Sequence, residues 1–143
     1  MKHIVVIDGQ GGGLGRAIIE RIRKEDFTTD YDLTAVGTNA LATAQMLKAG
    51  ADGGATGESA VIWNCGRADI IIGGIGIIAA GSMLGELSPA MATAIGNSRA
   101  LKILIPLNKC HLQVAGAPGD NLLLRLDQAI ELILQALNGE AKT

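Results

Sequence analysis

Aromatic side chains are nearly missing from this chain: Phe27, Tyr31 and Trp63 are the whole set in 143 residues. A core without them has to be packed from Ile, Leu, Val, Ala and Met, and a single-stranded nucleic acid finds no stacking platform. Basic charge is not in excess either. Lys and Arg number 12 against 14 Asp and Glu, a formal net charge of −2, and no basic stripe runs along any segment. Both features exclude nucleic acid as a main partner. The two cysteines, Cys65 and Cys110, form no C-x-x-C pair, which excludes a disulfide framework, and His3 and His111 stand at no metal-ligand spacing from them. Each cysteine reads as a small core residue. A membrane-length apolar run is lacking too. The uncharged stretch from Ile70 to Gly85 is shorter than the roughly 20 residues a bilayer needs, and glycine interrupts it. Met1, Lys2 and His3 lead straight into apolar residues with no signal-peptide pattern, so a reducing cytoplasm is the expected location.

What the chain does have is aliphatic residues and glycine: 48% of it is hydrophobic and 20 residues are glycine. That composition suits parallel strands covered by helices on both faces. Continuous apolar runs from Ile4 to Ile7, Leu33 to Val36, Ile70 to Ile72 and Leu101 to Ile105 read as buried strands, with a short edge strand in the glycine-rich segment after Ala51. Helical spacing lies between them. It begins near Arg16, at Asn39 as an N-cap, at Glu58, at Ser88-Pro89, and at Asp120, whose helix reaches Leu137. Residues 112–115 have the makings of one more short strand. Regular alternation of strand and helix predicts one three-layer, Rossmann-like α/β domain over residues 1–143, with about five parallel strands in the order 3-2-1-4-5.

The last helix is apolar almost all round, with Arg125, Asp127, Glu131 and Gln135 as its narrow polar strip. Such a helix is covered either by its own chain or by a second copy, and homo-oligomerisation is the expectation.

The first strand runs into Asp8 and then Gly9, Gln10, Gly11, Gly12, Gly13, Leu14, Gly15 and Arg16. Strand, glycine turn and helix in that order build an anion site, because the helix N-terminus presents unpaired N–H groups and glycines let a phosphate approach the backbone. Gly9, Gly13 and Gly15 fall in the G-x-x-x-G-x-G spacing and resemble the cofactor loop of short-chain dehydrogenases, although Leu14 breaks the G-x-G-x-x-G register. The catalytic Tyr-x-x-x-Lys pair of those enzymes is absent, since Tyr31 is followed four residues later by Ala35. A P-loop is absent as well. Asp8 would repel a pyrophosphate unless a cation or hydrogen bond offsets it, or else it accepts N–H groups of its own loop. The second strand ends on Gly37, Thr38 and Asn39 with no acid for ribose hydroxyls, and Arg16 is near enough to meet a 2′-phosphate. A dinucleotide, if bound, is therefore expected to be NADP.

Ligands in open α/β sheets bind where strand order reverses. That places Gly73, Gly74 and Gly76 after the fourth strand opposite the glycine loop, with Asn108 and Lys109 on the same side. Ser82 and Glu86, which follow, read as loop-capping residues. A flavin is disfavoured by the lack of stacking partners.

The strings VIDGQGGG (residues 6–13), DIIIGGIGII (69–78), SMLGE (82–86), SPAMA (88–92) and IPLNKC (105–110) resemble a family of short bacterial proteins known as a domain of unknown function. The resemblance spans nearly the whole chain. It implies a Rossmann-like fold and a bacterial source, and it carries over no catalytic residue. Two functions stay open: a protein that binds a nucleotide phosphate at residues 9–15, and a non-catalytic oligomeric interaction or sensor module whose glycine loop is purely structural.

Overall fold

The computed structural model describes residues 1–107, 111–119 and 121–138. Five strands, β1 (Lys2–Asp8), β2 (Tyr31–Gly37), β3 (Gly53–Thr56), β4 (Ile70–Gly74) and β5 (Leu101–Ile105), form one parallel sheet in the order β3-β2-β1-β4-β5. Five α-helices connect and cover them: α1 (Gly13–Arg23), α2 (Ala40–Lys48), α3 (Glu58–Arg67), α4 (Pro89–Asn97) and α5 (Leu122–Leu137). The expected strand order and the layers on both faces are what the chain adopts.

Successive strand residues point to opposite faces, and both faces here are dry. Ile4 and Val6 of β1 pack with α1, α2 and α5 on one side. Val5 and Ile7 pack with α3 and α4 on the other. Isoleucine and valine fit such a sheet because their branched side chains lose little freedom on a pleated surface.

Helix starts follow the sequence closely. The Asn39 side chain accepts from Ala42 N–H, and Ser88 accepts from Met91 N–H with Pro89 in the first helical turn. Two starts differ from expectation. α1 begins at Gly13 rather than near Arg16. For α5 the N-cap is Asn121, which accepts from Leu124 N–H, while Asp120 lies outside the described residues. A strand at residues 112–115 does not form. β5 stays at the edge of the sheet, and Val114 C=O instead accepts from Ala117 N–H in a turn.

The apolar girdle of α5 is mostly satisfied within the chain. Leu126, Ala129, Ile130, Ile133 and Leu137 are buried in the same core as α1 and β5. Only Leu123, Leu124 and Leu132 of this helix stand out as exposed leucines, so the helix needs much less cover from outside than its sequence suggests. Among the described residues, no helix is long and apolar enough to cross a membrane.

Candidate functional site

Parallel register brings the C-terminal ends of the strands to one edge: Asp8 is paired with Gly37, and Gly74 with Ile105. The chain winds outward from β1 to β2 and β3, then returns to β4 on the other side of β1, so strand order reverses between β1 and β4. Over that gap lies a cleft of about 960 Å³. Its size falls at the upper end of small-molecule sites, roughly 300–1,000 Å³. The glycine loop from Gly9 to Leu14 makes one wall. Gly74, Ile75 and Gly76 with residues 79–84 make the opposite wall, and Leu107 with His111, Leu112 and Gln113 closes the third side.

The glycines of the loop divide into two kinds. Gly9, Gly12 and Gly15 are buried. A Cβ on Gly12 would stand 2.8 Å from Ala42 Cα, and one on Gly15 would stand 2.5 Å from Met46 Sδ and 2.9 Å from Asp8 Cβ. A Cβ on Gly9 would run into Thr38, Met83 and Glu86. Gly12 also has φ 76° at the head of α1, after a turn in which Gly9 C=O accepts from Gly12 N–H at 2.9 Å. These three glycines let the turn pack tightly on α2 and on the loop after β4. Gly11 and Gly13 are exposed, neither has a positive φ, and a Cβ on either would meet nothing within 4 Å.

Asp8 is buried at the tip of β1, and its Oδ2 accepts from Gly15 N–H at 2.6 Å. The carboxylate thus serves its own loop and takes the third N–H of α1. The N–H groups of Gly13 and Leu14, ahead of it, can find no partner within the helix. Leu14 fills the slot of a third glycine for a packing reason: its side chain lies over Gly74, where a Cβ would come within 2.9 Å of Leu14 Cδ2.

Glu86 supplies an acid where the end of β2 has none. Its Oε1 accepts from Gln10 N–H at 2.8 Å, from the Thr38 hydroxyl at 2.6 Å and from the Asn39 amide at 2.9 Å. Asn39 Nδ2 also donates to Gln10 C=O at 2.9 Å, so the left-handed Gln10 peptide, at φ 49°, is clasped from both ends. The Thr38 hydroxyl, then the Gln10 N–H, then the Asn39 amide hold the Glu86 carboxyl below the ordinary glutamate range.

Of the residues the sequence singles out, Asp8, Gly9, Gly11, Gly12, Gly13, Leu14, Gly74 and Gly76 line the cleft together. Gly15 sits just behind it under Asp8. Thr38 and Asn39 are turned to Glu86 instead of the cleft. Gly73 is a sheet-packing residue, since a Cβ there would stand 2.6 Å from Ile7 C=O. Arg16 does not reach the cleft. Because α1 starts at Gly13, residue 16 lies on the α2 side of the helix, where it pairs with Glu20 of its own helix at 2.8 Å and touches Gln45 of α2 at 3.4 Å. Asn108, Lys109 and Cys110 lie outside the described residues. Ser82 Oγ donates to Gly76 C=O at 2.6 Å and so ties down its own loop, whereas Glu86 leaves its loop and reaches the glycine loop. Gln10, Met83, His111 and Gln113 line the cleft and carry no sequence signal beyond Gln10's place in the loop. Among the described residues no group of three His, Cys, Asp or Glu could hold a metal ion.

Fold and cleft together define a Rossmann-like α/β domain with a glycine-loop crevice at its switch point. The chain belongs to the family described as domain of unknown function (DUF3842), whose model matches residues 3–138. No curated protein matches it. Among solved structures it is similar to a dodecameric FMN-dependent UbiX-like decarboxylase from Escherichia coli O157:H7, at 19% identity over 92% of this chain and 75% of that one, with a TM-score of 0.47. Nothing about this chain's ligand rests on that likeness.

The two kinds of glycine separate by mutation. Gly15→Ala is expected to cost about 1–3 kcal/mol through overpacking against Met46 and Asp8. Gly13→Ala should leave stability unchanged or raise it by up to about 1 kcal/mol through helix propensity. Urea unfolding of both variants measures the difference.

Glu86→Gln tests the clasp through pH. A carboxyl whose pKa is lowered by folding stabilises the native state above its unfolded value, and that contribution fades as pH falls through the folded value. The variant should therefore melt lower than the parent near neutrality, and the gap should close as pH drops below about 4.3. Melting curves from neutral to acid pH read this directly, and a gap constant with pH would contradict the assignment.

Proposed function

We propose that the cleft binds a nucleotide, with a phosphate group seated on residues 11–14 and the heterocycle against the apolar wall formed by Ile75, Ala79, Ala80 and Leu107. The observation that carries this reading is the second kind of glycine. A loop built only to turn a strand into a helix accounts for Gly9, Gly12 and Gly15. It leaves Gly11 and Gly13 without a task, although glycine costs roughly 0.5–1 kcal/mol of backbone entropy in a regular element. Both are exposed where the cleft is open, beside the first N–H groups of α1, which have no carbonyl to bond within the helix. A side chain there would occupy the space a phosphate needs. The N-terminus of an 11-residue helix adds about half a positive charge to those N–H groups.

The reading is tested by thermal shift with AMP, ADP, ATP, NAD, NADP, FMN, phosphate and sulfate, each with and without magnesium. A ligand at about a hundred times its Kd stabilises the native state by about 2.7 kcal/mol, which corresponds to a rise of roughly 6–10 °C for a domain of this size. Gly13→Val should abolish the rise and leave the unliganded melting temperature in place. No shift with any of these at millimolar concentration would overturn the proposal.

Exposed leucines favour the oligomeric module as a second reading. Leu132 is 46% exposed and Leu123 77% exposed on α5, whereas Ile130 on the same helix is 3% exposed. If a second copy covers that strip, Leu132→Glu should convert the assembly to monomer by light scattering without lowering secondary structure. Ile130→Glu should instead unfold the chain, because it places a charge in the core. A parent chain that is already monomeric would sink this reading.

A further inference from the structure

We infer that Met83 and Glu86 form a partition that restricts the cleft to mononucleotides and shuts out dinucleotides; the inference rests on the nucleotide reading above. A dinucleotide in a Rossmann fold lies across the glycine loop. Its pyrophosphate crosses the tip of the first strand, and one nucleoside rests outside the second strand, where an acid accepts from its ribose hydroxyls. That passage is filled here. Met83 lies so close over Gly9 that a Cβ on the glycine would stand 2.6 Å from Met83 Sδ. Beyond it, the berth at the end of β2 holds the Glu86 carboxylate, bound to Gln10, Thr38 and Asn39. Thr38 and Asn39 accordingly fall outside the cleft, while Met83 lines it.

The partition is anchored at its base. Both residues belong to the loop after β4, which is closed on itself by Gly81 N–H to Leu87 C=O at 2.7 Å and Leu87 N–H to Ser82 C=O at 3.2 Å. Ser82 Oγ ties the loop to Gly76 at 2.6 Å. Met83 and Leu84 both take left-handed backbone conformations, φ 58° and 56°, which reverse the chain at the point where Met83 meets Gly9. Two consecutive non-glycine residues in that conformation cost roughly 1–2 kcal/mol each, so the loop is held in place by its contacts and not by local preference. The loop's own bonds point the same way: Asp8 and Glu86 already take the N–H groups of Gly15 and Gln10, which leaves fewer loop donors for a second phosphate.

Isothermal titration of the full chain with two matched pairs, AMP against NAD and FMN against FAD, tests the partition. The mononucleotide that binds should do so about tenfold or more tighter than its dinucleotide. Met83→Gly with Glu86→Ala should bring that ratio toward one. Met83→Gly alone, which suits a φ of 58°, opens half the passage and keeps the test standing if loss of Glu86 loosens the loop. A dinucleotide that equals or exceeds its mononucleotide on the parent chain would overturn the partition while sparing the nucleotide reading, and would make Glu86 a ribose acceptor. An unchanged ratio in the opened chains would also overturn it. No binding by any of the four would overturn the partition, while the nucleotide reading would still stand or fall on the thermal-shift series.

Discussion

A strand covered on both faces has no polar side to spare. β1 is buried from Ile4 through Asp8, and its alternate residues enter two separate aliphatic clusters. β4 is buried along its whole length. Between such strands the only place for polar chemistry is where the ladder ends. There the backbone must leave the sheet and its N–H groups need partners. Residues from the connections after β1, β4 and β5 therefore gather over the β1–β4 gap, and the cleft is a consequence of burying the sheet twice.

At that edge two carboxylates do the work usually left to a ligand or to water. Asp8 takes the Gly15 N–H and Glu86 takes the Gln10 N–H. The Gly15 N–H is buried and would otherwise be stranded, whereas the Gln10 N–H lies at the surface; in both bonds the charged acceptor makes the contact stronger than a neutral one. Asp8 and Glu86 thus hold the glycine loop from two sides, one from the tip of β1 and one from the loop after β4.

Much of the fold is legible from the chain because each element announces itself locally. β1, β2 and β4 carry aliphatic runs that end in aspartate or glycine, and Asn39 and Ser88 mark helix starts with side chains that do cap them. The location of the cleft follows from strand order, which itself follows from strand–helix alternation. Glu86 shows where local reading stops. Its partners Gln10 and Thr38 are 76 and 48 residues away in sequence, and only the return of the chain to β4 brings them together. Arg16 stands off the cleft for a local reason: Gly13 already has helical geometry, so the arginine lies a turn further along α1, on the α2 side. The girdle of α5 misleads for a third reason, since a helix lying in the angle between β5 and α1 is buried over more than one face.

The glycines of the loop separate architecture from function more sharply than the motif they compose. Measured against G-x-G-x-x-G the loop is irregular, and Leu14 looks like a defect. Measured against the space around each residue, it is orderly. Buried glycines sit where α2, Met46, Thr38 or Met83 press on the chain, and Leu14 covers Gly74 where a third glycine would leave a hole. Within the loop, open glycines sit only where the cleft is. Gly53, Gly66 and Gly96 also have room for a Cβ without a positive φ, but none of them lines the cleft. Gly11 and Gly13 differ from them in standing on a concave wall at the start of α1, and Met83, pressed against Gly9, bounds that wall on one side.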